Sequence, residues 1–152
     1  MIPLQAHDPY EWIAILRLIQ SEFAAMHGRI DPPSSMHALT TEAIAQQART
    51  GEVWVIGNPP VACVFLTPKP HALYLGKLAV AGSQRGMGLA RKLVDTAASR
   101  ARDLRLPALE LQTRVELAEN HAAFRAMGFQ EIGRSSHPGF DRITTLTFQR
   151  AV

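Results

Sequence analysis

Leu73-Tyr-Leu-Gly-Lys-Leu-Ala-Val80, then Ala81-Gly-Ser-Gln-Arg85-Gly-Met-Gly88-Leu-Ala90 and a run on to Arg102, is the stretch whose reading decides the fold. Its first part reads as a strand, its second as a glycine-bearing loop and its third as a helix. Leu89, Ala90, Leu93, Val94, Ala97, Ala98 and Ala101 recur at the helical period of about 3.6 and mark one apolar face, which puts the loop at a helix start. Such a junction suits an anion. Gly86 and Gly88 remove side chains that would keep a phosphate from backbone N–H groups, and the first helical turn offers unpaired donors and a partial positive charge. Arg85, Arg91 and Lys92 add full charges beside it.

Upstream, Asp8 reads as a helix cap, with Pro9 at the first helical position and Glu11 at the third. Ile13, Leu16, Ile19, Phe23 and Met26 then trace one face as far as Gly28, which predicts a helix over Pro9–His27. Arg29 to His37 contains Pro32 and Pro33 and reads as an irregular loop, a candidate substrate lid, before a short helix from Leu39 or Thr40 to Arg49. Glu52 to Ile56 and Val61 to Thr67 are β-rich runs separated by Gly57-Asn-Pro-Pro60, short enough for a hairpin.

Downstream, a strand over Ala108–Arg114 completes a βαβ crossover that begins at Leu73. A helix of about Glu116 to Met127 follows, with Gly128 as its left-handed stop and Phe129 packing back. Strands near Phe129–Arg134 and Arg142–Gln149 are joined through the turn-like His137-Pro-Gly-Phe140. The expected fold is a single α/β domain over residues 1–152, with a mixed sheet of six to seven strands flanked by about four helices.

Composition narrows the function classes. A chain of 152 residues with 47% apolar content is long enough to build one real core. No apolar run reaches the roughly eighteen residues of a membrane span and no leader pattern opens the chain, so the expectation is a cytoplasmic protein without a membrane partner. Cys63 stands alone among Val61, Ala62, Val64 and Phe65 and reads as strand packing, with no disulfide to make. The net charge of +3 comes from scattered basic residues with only 7% aromatics, which speaks against nucleic acid and is met equally well by a phosphate-rich cofactor. None of the six His stands in His-x3-His spacing and there is no Cys-x2-Cys, so no metal is expected.

Among phosphate-binding loops, a P-loop fails because no Gly-Lys-Ser or Gly-Lys-Thr follows Gly88. Gly86-Met-Gly88-Leu-Ala-Arg91 begins like a dinucleotide fingerprint, and Glu110 lies about twenty residues on, where a ribose-binding acid would sit. Arg91 replaces the third glycine, however, and a hairpin precedes the loop where a first βαβ unit would be needed. Arg85-Gly-Met-Gly88-Leu-Ala90 more closely resembles the coenzyme A loop of the GNAT N-acetyltransferases: Gln or Arg, two residues, Gly, one residue, Gly or Ala. Leu78-Ala-Val80 before it and Phe124-Arg-Ala-Met-Gly-Phe129 after it extend the resemblance over roughly half the chain.

That resemblance implies acetyl-CoA as cofactor and acetyl transfer to a primary amine of a small molecule or peptide. It implies that backbone groups of Leu78, Ala79 and Val80 hold the pantetheine, with Gly76 easing a bulge, and that the amides of Arg85, Gly86, Met87, Gly88, Leu89 and Ala90 hold the pyrophosphate. It implies further that Phe124 falls beside the cofactor and that Asn120 could bond the pantetheine, although the family's asparagine lies about three residues earlier, where this chain has Leu117. The chain departs from the family at two points: Gly76-Lys77 stands where an acid is frequent, and Phe124 where a tyrosine protonates the departing thiolate. The candidate replacements are Glu110, on the strand face it shares with Gln112, as base, and His121 as acid. The alternative is a catalytically weak acetyl-CoA-binding sensor. Homodimerisation through sheet edges or the terminal strands is compatible with either.

Overall fold

Leu73, Leu75, Leu109 and Leu111 alternate with more polar neighbours, and this period of two builds adjacent strands whose leucines share one buried face. The computed structural model describes residues 1–34 and 38–152; Ser35, Met36 and His37, the end of the candidate lid, lie outside the described residues. Strands β1 (Leu4–Gln5), β2 (Glu52–Ile56), β3 (Ala62–Pro68), β4 (Leu73–Val80), β5 (Ala108–Arg114), β6 (Gln130–Ser135) and β7 (Thr145–Ala151) form one sheet in the order β1-β2-β3-β4-β5-β7-β6. Helices α1 (Trp12–Ala24), α2 (Thr41–Thr50), α3 (Leu89–Asp103) and α4 (Ala118–Ala126) flank it. The β4–β5 pair is parallel and is linked through α3, whereas the other neighbours are antiparallel. Among the described residues no helix is long and apolar enough to cross a membrane.

The sheet separates two apolar clusters. On one face Leu89, Leu93, Val94, Ala97, Ala98 and Ala101 of α3 pack on Val64, Leu73, Leu75, Leu109, Leu111 and Phe148, with Phe124 and Met127 at the margin. On the other, Ile15, Leu16, Leu18 and Ile19 of α1 and Ile44 of α2 pack on Val53, Val55, Cys63, Phe65 and Ala79. Burial pushes the Cys63 thiol up to about 12, as a packing role requires.

The expected first helix begins later than its cap signal. Helix α1 starts at Trp12 with no side-chain cap, because the Asp8 carboxylate instead accepts from the Trp12 indole at 3.2 Å and from Arg49 Nε at 2.8 Å. Helix α2 does carry its cap, with Thr40 Oγ1 accepting from the Ala43 N–H. Helix α4 is shorter than the expected Glu116–Met127, and β7 runs three residues later than its pattern at the start, since its ladder with β5 begins at Thr145. Gly128 has φ +91° and the Phe129 N–H returns to the Phe124 carbonyl, the helix stop read from the sequence. Strand β1 is a two-residue pairing with β2, too short to leave a pattern.

Candidate functional site

The site grows from an irregularity in β4. Ala79 lies opposite Cys63 and Gly76 opposite Phe65, so two residues of β4, Lys77 and Leu78, face only Val64 on β3. This is a bulge. The expectation placed its conformational freedom at Gly76, but the residue with positive φ is Lys77, at +51°. A Cβ at Gly76 would meet only Tyr74 Cε1 at 3.7 Å, so the glycine is not what turns the chain. Lys77 holds a backbone conformation that costs a non-glycine residue roughly 1–2 kcal/mol, and the Cys63 thiol bonds its carbonyl at 3.4 Å from beneath.

The second irregularity is on the other edge of β4. Its parallel register with β5 comprises Leu73–Leu109, Tyr74–Glu110 and Leu75–Leu111, after which the strands part although β4 continues to Val80 and β5 to Arg114. Among the described residues, the β5-facing edge of β4 past Leu75 has no strand partner. A cavity of about 420 Å³ occupies the gap and is lined from both faces of the sheet. Leu78, Leu117, Asn120 and Phe124 line it on the α4 side, and Phe23, Gln47, Phe65 and Tyr74 on the side of α1 and α2. A smaller pocket lined by Phe23, Met26, His27, Gly28, Ile30, Pro33 and Ser34 adjoins it through shared residues.

Beyond Val80, the 3-10 turn Gly82–Gln84 leads into the glycine loop. Gly86 and Gly88 have φ +79° and +77°, and a Cβ built on either meets nothing within 4 Å. Gly88 is the left-handed N-cap of α3, with no side chain supplying a capping acceptor. Among the described residues, the N–H groups from Gly86 to Arg91 have no backbone carbonyl as partner; the ladder resumes with Lys92 donating to Gly88. This loop therefore presents open space in front of a series of free amides, the geometry an anion needs. The neighbouring cations are already engaged: Arg85 with Glu22 of α1 at 2.8 Å, Arg91 with the Ala126 carbonyl, and Lys92 with the Met1 carbonyl.

Of the residues expected at a cofactor site, Leu78, Asn120 and Phe124 line the cavity. Ala79 is buried under α1 and Val80 packs toward α3. Arg85, Gly86, Met87, Gly88, Leu89 and Ala90 form the loop outside the cavity lining, with Leu89 sunk into the core and Met87 exposed. The expected catalytic pair is not brought together. Glu110 lies beside Tyr74, one step below the parting of the strands, accepts from Gln149 Nε2 at 3.3 Å and does not line the cavity, whereas Gln112 on the same face does. His121, expected on an exposed helix face or at the thiolate, is buried instead. Its Nε2 donates to the Arg114 carbonyl at 2.9 Å and its ring lies 5.9 Å from Phe148, so it too is absent from the lining.

Among the described residues, those with titratable side chains in the cavity lining are Tyr74, Lys77, Arg114 and His137. Burial raises the Tyr74 pKa, the Glu110 charge raises it further, and the Gln112 backbone acts in the opposite direction. Burial lowers the pKa of Lys77. Arg114 donates to the Pro32 and Pro33 carbonyls at 2.6 and 3.1 Å and so ties down the loop that closes one side. From the sequence, Tyr74 and Trp54 could each line the cleft or sit in the core; Tyr74 lines it, Trp54 packs on the core, and nothing in the sequence marked Lys77 as lining, because only the parting of β4 and β5 opens the space beside it.

The model of the acetyltransferase (GNAT) family matches residues 12–129. The chain is 32% identical over 82 residues to N-alpha-acetyltransferase 30 of Saccharomyces cerevisiae, a match covering 51% of this chain and 47% of that protein; it thus spans about half the length of this curated relative. Among solved structures it resembles an acetyltransferase of Streptococcus agalactiae 2603, with TM-score 0.76 and 19% identity, over 99% of this chain and 97% of that one. It also resembles a chain of the NatC complex bound to Gag peptide and CoA, with TM-score 0.70 and 20% identity, over 100% and 99%. At these identities the structural likeness is one of fold.

Proposed function

Because the chain belongs to the acetyltransferase (GNAT) family, we propose that it transfers an acetyl group directly from acetyl-CoA to a primary amine of a small molecule or peptide. The observation that carries this reading is the unpartnered β4 edge beyond Leu75, which opens beside a loop of free amides at the start of α3. An extended chain bearing amides can add to that edge as a strand would, and a pyrophosphate fits the open space before Gly86 and Gly88. When bound, acetyl-CoA supplies the thioester that the amine attacks.

The chain's own residues then divide the work. Leu78, Asn120 and Phe124 wall the α4 side, where the pantetheine would run, and the α1 and α2 side is left for the acceptor. Tyr74 reaches this cavity with its phenol kept protonated by burial, and is the group we assign to donate a proton to the departing sulfur. Phe124 has no proton to give, and neither Glu110 nor His121 borders the space. The cations Lys77 and Arg114 lower the pKa of a nearby ammonium, which favours loss of its proton to water and a neutral nucleophile without a carboxylate base; the second proton, shed by the nitrogen as the amide forms, restores the Tyr74 phenol.

Thiol release from acetyl-CoA over a panel of amines tests the reading, with calorimetry of acetyl-CoA binding alongside. Amine-dependent release is the expected result. Tight binding with no release from any amine would leave the sensor alternative, which Phe124 favours; absence of binding would defeat both.

A further inference from the structure

Among the described residues, the cavity that would receive the acceptor has no Asp or Glu in its lining, although the acceptor of the reaction proposed above is an amine and is a cation until it loses its proton. Ser35, Met36 and His37 add no carboxylate by their chemistry. The charged lining is Lys77 and Arg114. Arg114 donates to the Pro32 and Pro33 carbonyls, and the nearby acids stand outside the lining: Asp31 Oδ2 accepts from Arg142 at 3.0 Å, Glu110 from Gln149 Nε2 at 3.3 Å, and Glu116 Oε2 from the Asp31 N–H at 3.0 Å, while Glu116 Oε1 is buried with no partner among the described residues. Lys77 is different. Among the described residues its ammonium has no ion pair and no hydrogen bond, yet it is half-buried, and the bulge holds it in left-handed backbone at the point where β4 and β5 have parted.

We infer that Lys77 is a specificity determinant that receives a carboxylate of the acceptor, so that the preferred substrate is an amine carrying its own anion: a free amino acid or a peptide with an acidic residue near its N-terminus. This deepens the acetyltransferase reading and rests on it. An unpaired cation in a partly desolvated wall repels a purely cationic amine and gains a charge-assisted hydrogen bond from a zwitterionic one. The remaining wall suits the rest of such a molecule, since Phe23, Met26, Ile30 and Phe65 offer apolar surface with no charge to match.

The test compares acceptors in the thiol-release assay, with kcat/KM expressed per neutral amine because a carboxamide lowers the pKa of its α-amine: free amino acids against their carboxamides, and short peptides with Glu against Gln at the first and second positions. The wild-type protein is expected to prefer the carboxylate member by about tenfold or more in kcat/KM. Lys77→Gln should bring that ratio close to one while KM for acetyl-CoA stays unchanged, and Lys77→Arg should restore it. The amino-acid and peptide arms distinguish the two sources of the carboxylate. Equal turnover of matched acceptors by the wild type overturns the inference and leaves acetyl transfer standing, and this comparison holds even where a variant fails to fold. A preference that survives in folded Lys77→Gln overturns it as well. Acetyl-CoA binding without release from any acceptor defeats the transfer reading itself, and the inference with it.

Discussion

Replacing Gly88 by Glu attacks the anion loop at its narrowest assumption. The residue sits at φ +77° and a Cβ built on it meets nothing within 4 Å, so the new side chain has room to start and carries its charge toward where a phosphate would lie. Left-handed backbone costs a non-glycine residue roughly 1–2 kcal/mol, a loss that lowers the melting temperature of a chain this size by about 2–4 °C per kcal/mol. Binding should suffer far more. If the carboxylate displaces a pyrophosphate from two of the free N–H groups between Gly86 and Arg91, roughly 1.5–3 kcal/mol is lost per charge-assisted bond, and Kd rises ~10²–10⁴-fold. Gly139→Ala is the control, because Gly139 has φ +85°, equally open surroundings and a position in the His137–Phe140 turn away from the loop. Titration calorimetry with acetyl-CoA and thermal unfolding read the two effects separately. Similar losses of stability with a collapse of binding in Gly88→Glu alone is the expected pattern. Acetyl-CoA bound by folded Gly88→Glu within threefold of the wild type would refute the assignment of the loop.

Tyr74→Phe should lower kcat by about 100-fold with little change in KM for acetyl-CoA, whereas unaltered turnover would remove Tyr74 from proton transfer. His121→Ala should cost about 1–3 kcal/mol in urea unfolding by removing one of the two donors to the Arg114 carbonyl, which keeps the Leu117 N–H, and the ring packed beside Phe148, with turnover of the folded protein unchanged; a shifted pH–rate profile would return His121 to the mechanism. Glu52 is 8% exposed and accepts from Arg100 at 2.8 and 2.9 Å and from the Trp54 indole at 2.8 Å. Burial pulls its pKa upward, but the bonds from Arg100 and Trp54 outweigh that and hold it below the ordinary 4.5. With the folded value depressed, the stabilisation is complete well above 4.5 and is lost as pH falls through the folded value. Glu52→Gln should therefore cost roughly 1.5–3 kcal/mol at neutral pH, a deficit that shrinks in acid as the wild type protonates; a deficit independent of pH would contradict the ion pair. Cys63, buried and pushed up to about 12, should resist alkylation at pH 8 roughly a thousandfold more than the unfolded chain, a contrast that timed labelling with mass spectrometry measures.

The strand–loop–helix at residues 73–102, the hairpin before it and the Gly128-Phe129 stop were all legible in the amino-acid sequence, because each depends on local period or on a glycine's access to left-handed backbone. The order of elements and the mixed sheet followed from them. What local pattern could not carry is where a polar side chain finds its partner. Asp8 had the chemistry of a helix cap and went to Trp12 and Arg49; His121 had the chemistry of a proton donor and is buried against Phe148 and the Arg114 carbonyl. The bulge moved from Gly76 to Lys77 for a related reason. The pairing of β3 with β4 sets the register, and the surrounding ladder imposes positive φ on a lysine that would not choose it alone. The parting of β4 and β5 is likewise a property of two strands at once, and it opens the cavity and puts Tyr74 and Lys77 on its wall. By itself the sequence determined the elements and the anion loop, whose cause lies within a few residues of chain; only tertiary structure decided which side chains face the space between two strands, since that depends on pairing across the sheet.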